Sequence, residues 1–553
     1  MKSSRRLPAV LALLLTAIGA TRIVSTYRAV AQTSDETPNI ACGMQWLDQG
    51  RYDYGPFHPP LARIAMSIGP YLYGARSQSL PNRWVEGNAV LNSAPRYGKA
   101  LTLARIGILP FFILACACVW LWSRRLMDDW SALVPLFLFT NMPPVLAHAG
   151  LATTDMAVTA GVCAAVYAFI LWQDAPHLAR SIVLGLAMAA AVLAKFSALL
   201  FVPCCLIGLL LLRAAAQREP WRAWCRRHAG PFLVAMLVAA ITVWAAYRFS
   251  WGPAATHEIP ADTPLARYAP LSLLRTLSRI SIPAPEIAHG MGLISEHVFE
   301  GHAAYLMGQN SLHGWWYFFP VALALKLPLG ILALAAAGLV GLIRAGKRTF
   351  DWRAWGPPIC VAAILLPCLK ATLNIGVRYV LALFPMLAIT AGIGAVYLFR
   401  RCGRAGAIAA IALTLWAAAS SVAAHPDYIP YFNELAGSRP ERFLVDSDLD
   451  WGQDMNRLVV ELQRRRVPSL HMACLYTGDD RRLALPAWDA LEPYHPVTGW
   501  VAVSFTMLKN FGWLVSQQQG RRDTAFAWLD RYRPVARVGK SILLYHIPEE
   551  PPR

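Results

Sequence analysis

Charged residues are scarce in this sequence, and acidic residues are the scarcer kind. Only 15% of the 553 residues are charged, with 32 Asp and Glu against 51 Lys and Arg, while 56% are hydrophobic. The mean hydropathy is +0.40. A soluble enzyme needs a more polar surface, so this composition excludes that class and predicts an integral membrane protein.

Several motifs with a known physical role are also missing. The eleven cysteines form no CxxC pair and show no zinc-like spacing. Most of them lie inside apolar runs, where a thiol packs as a small hydrophobic side chain. There is no GxxxxGK[ST] loop, which excludes a nucleotide-driven pump of that type. An internal repeat is absent as well.

Long apolar runs predict a polytopic α-helical membrane protein with about eleven transmembrane helices, since each span needs ~20 apolar residues. The first run, 7–25, is either a retained span or a signal peptide cleaved after Ala31. The other spans are expected at 101–122, 131–149, 152–172, 181–194, 196–212, 230–249, 315–343, 356–370, 377–399 and 405–424.

The uneven distribution of basic residues predicts an orientation. Residues 1–424 hold 35 Lys and Arg against 16 Asp and Glu, whereas residues 425–553 hold 16 of each. With the N-terminus in the cytoplasm, the six segments on that side hold 18 basic and 5 acidic residues. This asymmetry follows the positive-inside rule, so the excess charge indicates membrane topology and not nucleic-acid binding.

This orientation places three long segments outside: 26–100, 250–314 and 425–553. We expect a transmembrane domain over 1–424, with outer loops 26–100 and 250–314, and a small C-terminal α/β domain over 425–553. Strand-like runs at 501–505 and 541–547 support the second domain. In the first loop, Pro59-Pro60 predicts the start of a short helix.

The acidic pair Asp35-Glu36 in the first outer loop is the primary candidate for chemistry. Thr37 favours the cap of a helix that begins at Pro38, beside the pair, and Gly50 favours its end. Transfer of a group to a hydroxyl or amine needs a carboxylate that accepts the proton. The alternative is an acidic turn that only precedes a helix.

A second acidic candidate, Asp155, stands in an apolar stretch where the third span meets the fourth, on the same side as Asp35. A charged side chain is costly in such a place and marks a candidate functional residue. Capping of the fourth span is the alternative role.

The order of several motifs resembles the lipid-carrier-dependent glycosyltransferases of family 39, which include protein O-mannosyltransferases and aminoarabinose transferases. The resemblance implies a membrane fold of the GT-C type. The tail lacks the WWDYG element of oligosaccharyltransferases, which favours transfer of a single sugar. The matching elements are the acidic pair Asp35-Glu36, His58-Pro59-Pro60-Leu61, Thr154-Asp155, the KxP at Lys326, the RY at Arg378 and the start of the tail at His425.

The resemblance also implies roles for the acidic residues. Asp35 is the expected catalytic base, with Glu36 and His58 in support, and Asp155 is expected to position a substrate or a metal. His58 has the alternative of being only a residue at the start of a helix. No cofactor is certain, and a divalent metal held by the three acids is left open.

Three cations are candidates for binding the phosphate of the lipid carrier: Lys195, Lys326 and Arg378. A phosphate leaving group needs positive charge near the membrane surface. The resemblance favours phosphate contact for Lys326 and Arg378, and a guanidinium grips phosphate with two parallel hydrogen bonds. For Lys195, an interfacial cation that snorkels towards water is an open alternative.

The implied enzyme is an inverting hexosyl- or pentosyltransferase of the bacterial inner membrane that moves one sugar from a polyprenyl-phosphate carrier to an acceptor on the outer face. Its expected partners are the lipid-linked donor, membrane lipid, and an acceptor protein, lipid or glycan, with no nucleic acid. A transporter or glycolipid flippase is the alternative, because intramembrane charges also line translocation paths. A glycolipid-binding assembly factor is a third class.

Alternating acids at 446–454 suggest calcium binding, but they fail the loop pattern. Trp451 holds the glycine position and Arg457 the place of the final Glu. These acids are expected in turns, caps and domain packing.

Overall fold

The structure is a computed structural model that describes residues 6–216, 220–254, 270–346 and 351–549. Helices dominate the chain, and a small mixed sheet follows the last long helix. In chain order the first helices are α1 (Arg6–Ser25), α2 (Glu36–Gln49), α3 (Pro60–Leu72), α4 (Arg83–Ser93), α5 (Tyr97–Ile106), α6 (Leu109–Leu126), α7 (Leu133–Phe139), α8 (Pro143–Ala149), α9 (Asp155–Asp174), α10 (Leu178–Ala194) and α11 (Ala198–Ala216).

The second half continues the helical pattern and adds the strands. Its helices are α12 (Trp221–Ala246), α13 (Leu271–Ser278), α14 (Pro285–Glu300), α15 (Phe318–Lys326), α16 (Leu329–Gly346), α17 (Trp352–Cys368), α18 (Phe384–Arg401), α19 (Gly403–Ala423), α20 (Met455–Arg465) and α21 (Gly512–Gln518). The strands are β1 (Trp251–Pro253), β2 (Ser281–Pro283), β3 (Ala304–Leu306), β4 (Gln309–Ser311), β5 (Ser469–Ala473), β6 (Ala487–Ala490), β7 (Gly499–Ser504), β8 (Ala536–Val538) and β9 (Ile542–Ile547).

Eight helical stretches in the described residues are long and apolar enough to cross a membrane, and the shorter apolar helix α10 adds to them. The chain is therefore an integral membrane protein of the polytopic helical class, as predicted. The eight are Arg6–Arg28, Tyr97–Leu126, Asp155–Asp174, Ala198–Ala216, Trp221–Ala246, Leu329–Gly346, Val377–Arg401 and Gly403–Ala423. In α9, 83% of the most apolar 18-residue stretch is buried inside the protein, against 11% in α12, so α9 lies at the centre of the bundle.

Two of the predicted spans are broken by proline. The run at 131–149 forms α7 and α8, with the break before Pro143, and the run at 315–343 forms α15 and α16, with the break at Pro328. Proline lacks a backbone N–H and disfavours helical geometry in the residue before it. The second break places Lys326 at the end of a helix.

The helices of the loop between the first two spans form close to the predicted positions, with one correction. The helix predicted to begin at Pro38 begins at Glu36, so that Asp35 is its N-cap residue and Thr37 lies inside the first turn. The hydroxyl of Thr37 caps nothing and has no hydrogen-bond partner. Gly50 ends the helix at φ 69°, in the left-handed conformation that glycine adopts without strain.

The C-terminal part contains the predicted strands. Five strands form one sheet in the order β6-β5-β7-β9-β8, and the two strands predicted from sequence, β7 and β9, pair antiparallel at its centre. Helix α20 buries Met455, Leu458 and Leu462 in an apolar cluster with residues of this sheet. The division of the chain at 424/425 into two domains stays a prediction.

Candidate functional site

Four of the charged residues singled out in the sequence meet at one end of the helix bundle. Asp35 precedes α2, Asp155 is the first residue of the central helix α9, and Lys195 follows the end of α10. Arg378 lies in a short 3-10 turn, Val377–Leu383, that packs against α9 and leads into α18. Each of the four therefore stands where a helix begins or ends.

The four side chains form a continuous row of alternating charge. Arg378 Nη1 donates a hydrogen bond to Asp35 Oδ2 at 2.7 Å and lies 3.7 Å from Asp155 Oδ2. Lys195 Nζ donates to Asp155 Oδ1 at 2.7 Å. Asp155 thus stands between the two cations, and Asp35 forms the end of the row.

Exposure separates the two carboxylates. The Asp35 side chain is 40% exposed, whereas that of Asp155 is 1% exposed. The guanidinium of Arg378 lies 4.3 Å from the centre of the Trp451 ring, and Lys195 Nζ lies 4.7 Å from that of Tyr379. Asp35 is consequently the carboxylate that a second molecule can reach, and an aromatic ring packs against each of the two cations.

Several buried polar atoms around this row have no hydrogen-bond partner in the described part of the chain. They include Arg378 Nε, Asp155 Oδ2, and the Nδ1 atoms of His58 and His148. His58 and His148 both lie within electrostatic reach of Asp155 and Arg378. Buried polar atoms are nearly always paired, so this concentration of unpaired atoms indicates a place where ligand atoms complete the network.

His58 is a neutral member of the site. Burial lowers the pKa of its ring well below the usual value, and the charges of Arg63 and Lys195 lower the pKa further. Tyr52 Oη and Arg63 Nη1 hold the backbone carbonyl of His58, which fixes the start of α3. An uncharged ring with an unpartnered Nδ1 offers one hydrogen bond to a ligand and no charge.

Glu36 is placed differently from Asp35. It forms a two-point ion pair with Arg105, Nε to Oε1 at 2.8 Å and Nη2 to Oε2 at 2.8 Å, and its side chain is fully buried. Its carboxylate also accepts the backbone N–H groups of Thr33 and Ala152. Burial alone would raise the pKa of Glu36, but Arg105 and these hydrogen bonds lower it. Glu36 therefore joins the Asp35 loop to the loop before Asp155.

Lys326 is fully buried, and its Nζ donates to the backbone carbonyls of Ile429 at 2.8 Å and Asp448 at 2.6 Å. The Asp448 carboxylate in turn accepts the N–H of Val377, the residue before Arg378. This arrangement ties the start of the tail to the turn that carries Arg378. Contact between Lys326 and a phosphate stays a prediction.

Comparison with known proteins gives similarity of structure alone. No protein-family model matches the chain, and no curated protein matches it in sequence. ArnT from Cupriavidus metallidurans bound to undecaprenyl phosphate has a TM-score of 0.48 and 11% identity, with 96% of this chain and 97% of that chain covered. The same protein in the apo state has a TM-score of 0.48 and 12% identity, covering 97% and 98%.

A second similar structure is the Archaeoglobus fulgidus oligosaccharyltransferase in the apo form. Its TM-score is 0.45 and its identity 13%, with 83% of this chain and 58% of that chain covered. Such distant likeness assigns neither a family nor an activity, so the function depends on the geometry of the site itself.

Sequence reasoning missed three residues that shape the site. Arg105 pairs with Glu36, and Trp451 covers Arg378. The guanidinium of Arg83 lies 4.2 Å from the centre of the Phe57 ring and 4.1 Å from that of Trp84, and it interacts electrostatically with Asp35. A signal existed only for Arg105, since it is a lone charge inside an apolar run.

The acidic residues do not fit a metal ion. Among the described residues, no group of three or more His, Cys, Asp or Glu side chains is placed to hold one. Each carboxylate that the sequence offered as a ligand is paired with a cation instead: Asp35 with Arg378, Glu36 with Arg105, and Asp155 with Lys195. We therefore assign no step to a metal.

Proposed function

We propose that this chain is a glycosyltransferase that takes one sugar from a polyprenyl-phosphate carrier and transfers it to an acceptor on the outer face of the membrane. The pairing of Asp35 with Arg378 carries the proposal. A reachable carboxylate lies 2.7 Å from a guanidinium that is 10% exposed and has an unpartnered Nε. Glycosyl transfer from a lipid phosphate needs these two groups together, because one activates the nucleophile and the other stabilises the leaving group.

Asp35 is the proposed general base. As the hydroxyl or amine of the acceptor attacks the anomeric carbon, the Asp35 carboxylate accepts the proton that this group loses. The bond between the anomeric carbon and the phosphate oxygen breaks on the opposite face, and the phosphate leaves with the bonding electron pair. This single displacement inverts the configuration of the sugar.

Arg378 is the proposed ligand of the departing phosphate. Its Nη1 is held by Asp35, and its Nε is free to donate to a phosphate oxygen. Lys195, fixed by Asp155, adds a second positive charge at the same end of the bundle. Cations placed before the reaction stabilise the charge that develops on the leaving group without reorganisation.

The membrane contributes to the reaction by holding the donor. The lipid tail of the carrier would lie among the spans, which limits the search of its phosphate for Arg378 and lowers the entropic cost of the encounter. The acceptor is a protein, a lipid or a glycan on the outer side. The N-terminus would be cytoplasmic, the C-terminal part outside, and the bilayer the bacterial inner membrane, in keeping with the distribution of Lys and Arg.

One assay tests the proposal against the transporter alternative. Purified protein in lipid vesicles is given a radiolabelled polyprenyl-phosphate sugar and a pool of envelope proteins, lipids and glycans. We expect the label to move to an acceptor with wild-type protein and with Asp489→Asn, which changes an exposed carboxylate of β6. Asp35→Asn should abolish this movement. Label that crosses the bilayer while still attached to its carrier would instead establish a flippase.

A further inference from the structure

A cleft of 610 Å³ lies where the C-terminal part of the chain meets the end of the first membrane-spanning stretch. Its wall is formed by α20, by β8 and by the short turn Thr26–Arg28 that follows the first span. Five arginines line this cleft and one acidic residue, Glu461, lies among them. The arginines are Arg28, Arg457, Arg464, Arg465 and Arg537.

The charge in this arginine cleft is incompletely neutralised. Arg464 and Arg465 both bind the same carboxylate, that of Glu461, so two positive charges share one negative charge. The exposed side chain of Arg28 forms no hydrogen bond or ion pair within the described residues. Each guanidinium has five N–H donors, and the guanidinium of Arg464 uses only two of its nitrogen atoms, Nε and Nη2, to bind Glu461.

The remaining two arginines are paired with acids outside the cleft. Arg457 binds both Asp454 and Asp427, and Arg537 lies 3.2 Å from Glu441. None of these acids lines the cleft, and Asp454 accepts hydrogen bonds from the backbone of the β8–β9 turn on its other side. These contacts orient the guanidiniums without placing negative charge on the cleft surface.

The arginine cleft lies at the end of the first membrane-spanning stretch, which places it near the membrane surface. Arg28 is the last residue of the first membrane-spanning stretch, Arg6–Arg28. Val460 is 65% exposed and precedes Arg464 by one helical turn, on the face of α20 that lies opposite its buried leucines. An exposed apolar side chain beside cations suits the boundary between a lipid headgroup and its acyl chains, where phosphate and hydrocarbon lie close together.

We propose that the arginine cleft binds the phosphate group of an anionic lipid headgroup in the outer leaflet. Guanidinium groups bind phosphate oxygens with strong, charge-assisted hydrogen bonds. This site is separate from the one that holds Asp35 and Arg378, and none of its lining residues belongs to the proposed reaction. Its role would be to hold the C-terminal part of the chain against the bilayer.

The test is mass spectrometry of the intact full-length protein after equilibration in uncharged detergent with equal amounts of phosphatidylglycerol and phosphatidylcholine. The ammonium of choline cancels the phosphate charge and is repelled by the arginines, so we expect at least one retained phosphatidylglycerol in preference to phosphatidylcholine. The double variant Arg28→Gln, Arg464→Gln should lose about tenfold in this preference. The matched control Arg522→Gln, Arg533→Gln changes two exposed arginines outside the cleft and should retain it.

A single variant and a competition with inorganic phosphate complete the test. Where the double variant does not fold, Arg28→Gln alone serves, because this side chain is exposed and unpaired. Displacement of the lipid by excess inorganic phosphate would show that the cleft recognises the phosphate itself, whereas resistance to displacement would show that the lipid body also contributes. Equal retention of both lipids by wild-type protein, or an unchanged preference in the arginine variants, would overturn the proposal.

Discussion

Glu36 and Arg105 form a two-point ion pair in which neither side chain is more than 1% exposed, one residue along the chain from Asp35. Arg105 also donates to the backbone carbonyls of Val30 and Ala31, and Glu36 accepts the N–H of Ala152. The pair therefore connects the end of the first span, the Asp35 loop and the loop before α9. We therefore expect the ion pair to hold the Asp35 loop in position.

Breaking this pair from one side should destabilise the protein strongly. Glu36→Gln leaves the buried charge of Arg105 without its partner, which costs about 3–5 kcal/mol. Thermal unfolding of the purified protein measures this loss. The control Asp129→Asn breaks the partly exposed pair with Arg124, whose side chains are 27% and 33% exposed, and should cost no more than ~1 kcal/mol. A Glu36→Gln protein as stable as wild type would contradict the structural role of the pair.

Lys326→Met tests whether Lys326 anchors the tail or binds phosphate. Removal of the ammonium leaves two buried carbonyls, those of Ile429 and Asp448, without their donor, at a cost of about 1–3 kcal/mol for each. We expect a lower unfolding temperature and a lower transfer rate together, because the turn that carries Arg378 loses its support. Unchanged stability with a weaker affinity for the donor would instead assign the phosphate contact to Lys326.

Asp450 should give the protein a pH-dependent stability. Its carboxyl is fully buried with an unpartnered Oδ1, and burial raises its pKa from 3.8 to about 6 against the hydrogen bonds of Ser504 and Thr506. Between these two values the folded protein binds more protons than the unfolded chain. The free energy of unfolding should therefore fall as pH rises from about 4 to about 6, by about 2–3 kcal/mol.

Asp450→Asn removes this ionisation and should flatten that part of the curve. The variant should equal wild type near pH 4 and exceed it in stability near pH 8, whereas the exposed Asp489→Asn should follow the wild-type curve. Thermal unfolding between pH 4 and 8 makes the comparison. Parallel curves for Asp450→Asn and wild type would show that the buried carboxyl does not titrate in this range.

His58 should contribute no ionisation to the reaction. Because burial and nearby cations hold the pKa of its ring well below the usual value, the ring stays neutral at physiological pH. Profiles of transfer rate against pH for wild type and His58→Gln should therefore have the same shape, although the rates differ. An inflection near pH 6.5 that only wild type shows would assign a proton-transfer role to His58.

The parts of the fold that depend on local sequence were predictable. Apolar runs located the eight long apolar helices of the described residues, although about eleven spans were expected, and Pro60 and Gly50 marked helix ends that the structure contains. Counting spans placed Asp155 on the same side as Asp35, and the structure brings these two carboxylates together with Lys195 and Arg378. The start of α2 was predicted two residues too late. Threonine is a common cap residue, but the fold buries the hydroxyl of Thr37 without a partner, and the helix begins at Glu36.

The partners of buried charges were not predictable, because periodicity gives the face of a helix and not the side chain that meets it. Nothing local joins Glu36 to Arg105, which is 69 residues away, or Asp448 to the N–H of Val377. The contact of Lys326 with two tail carbonyls was unpredictable for the same reason, because it depends on a segment about a hundred residues later.

The central claim is that Asp35 removes a proton while Arg378 binds phosphate, and a crossed pair of measurements tests it. The affinity for the labelled polyprenyl-phosphate sugar and the single-turnover rate of its transfer are measured for Asp35→Asn and Arg378→Gln. We expect Asp35→Asn to retain the affinity and to lose about 10²–10⁴ in rate, and Arg378→Gln to lose affinity as well as rate. Transfer at the wild-type rate by Asp35→Asn would contradict the claim.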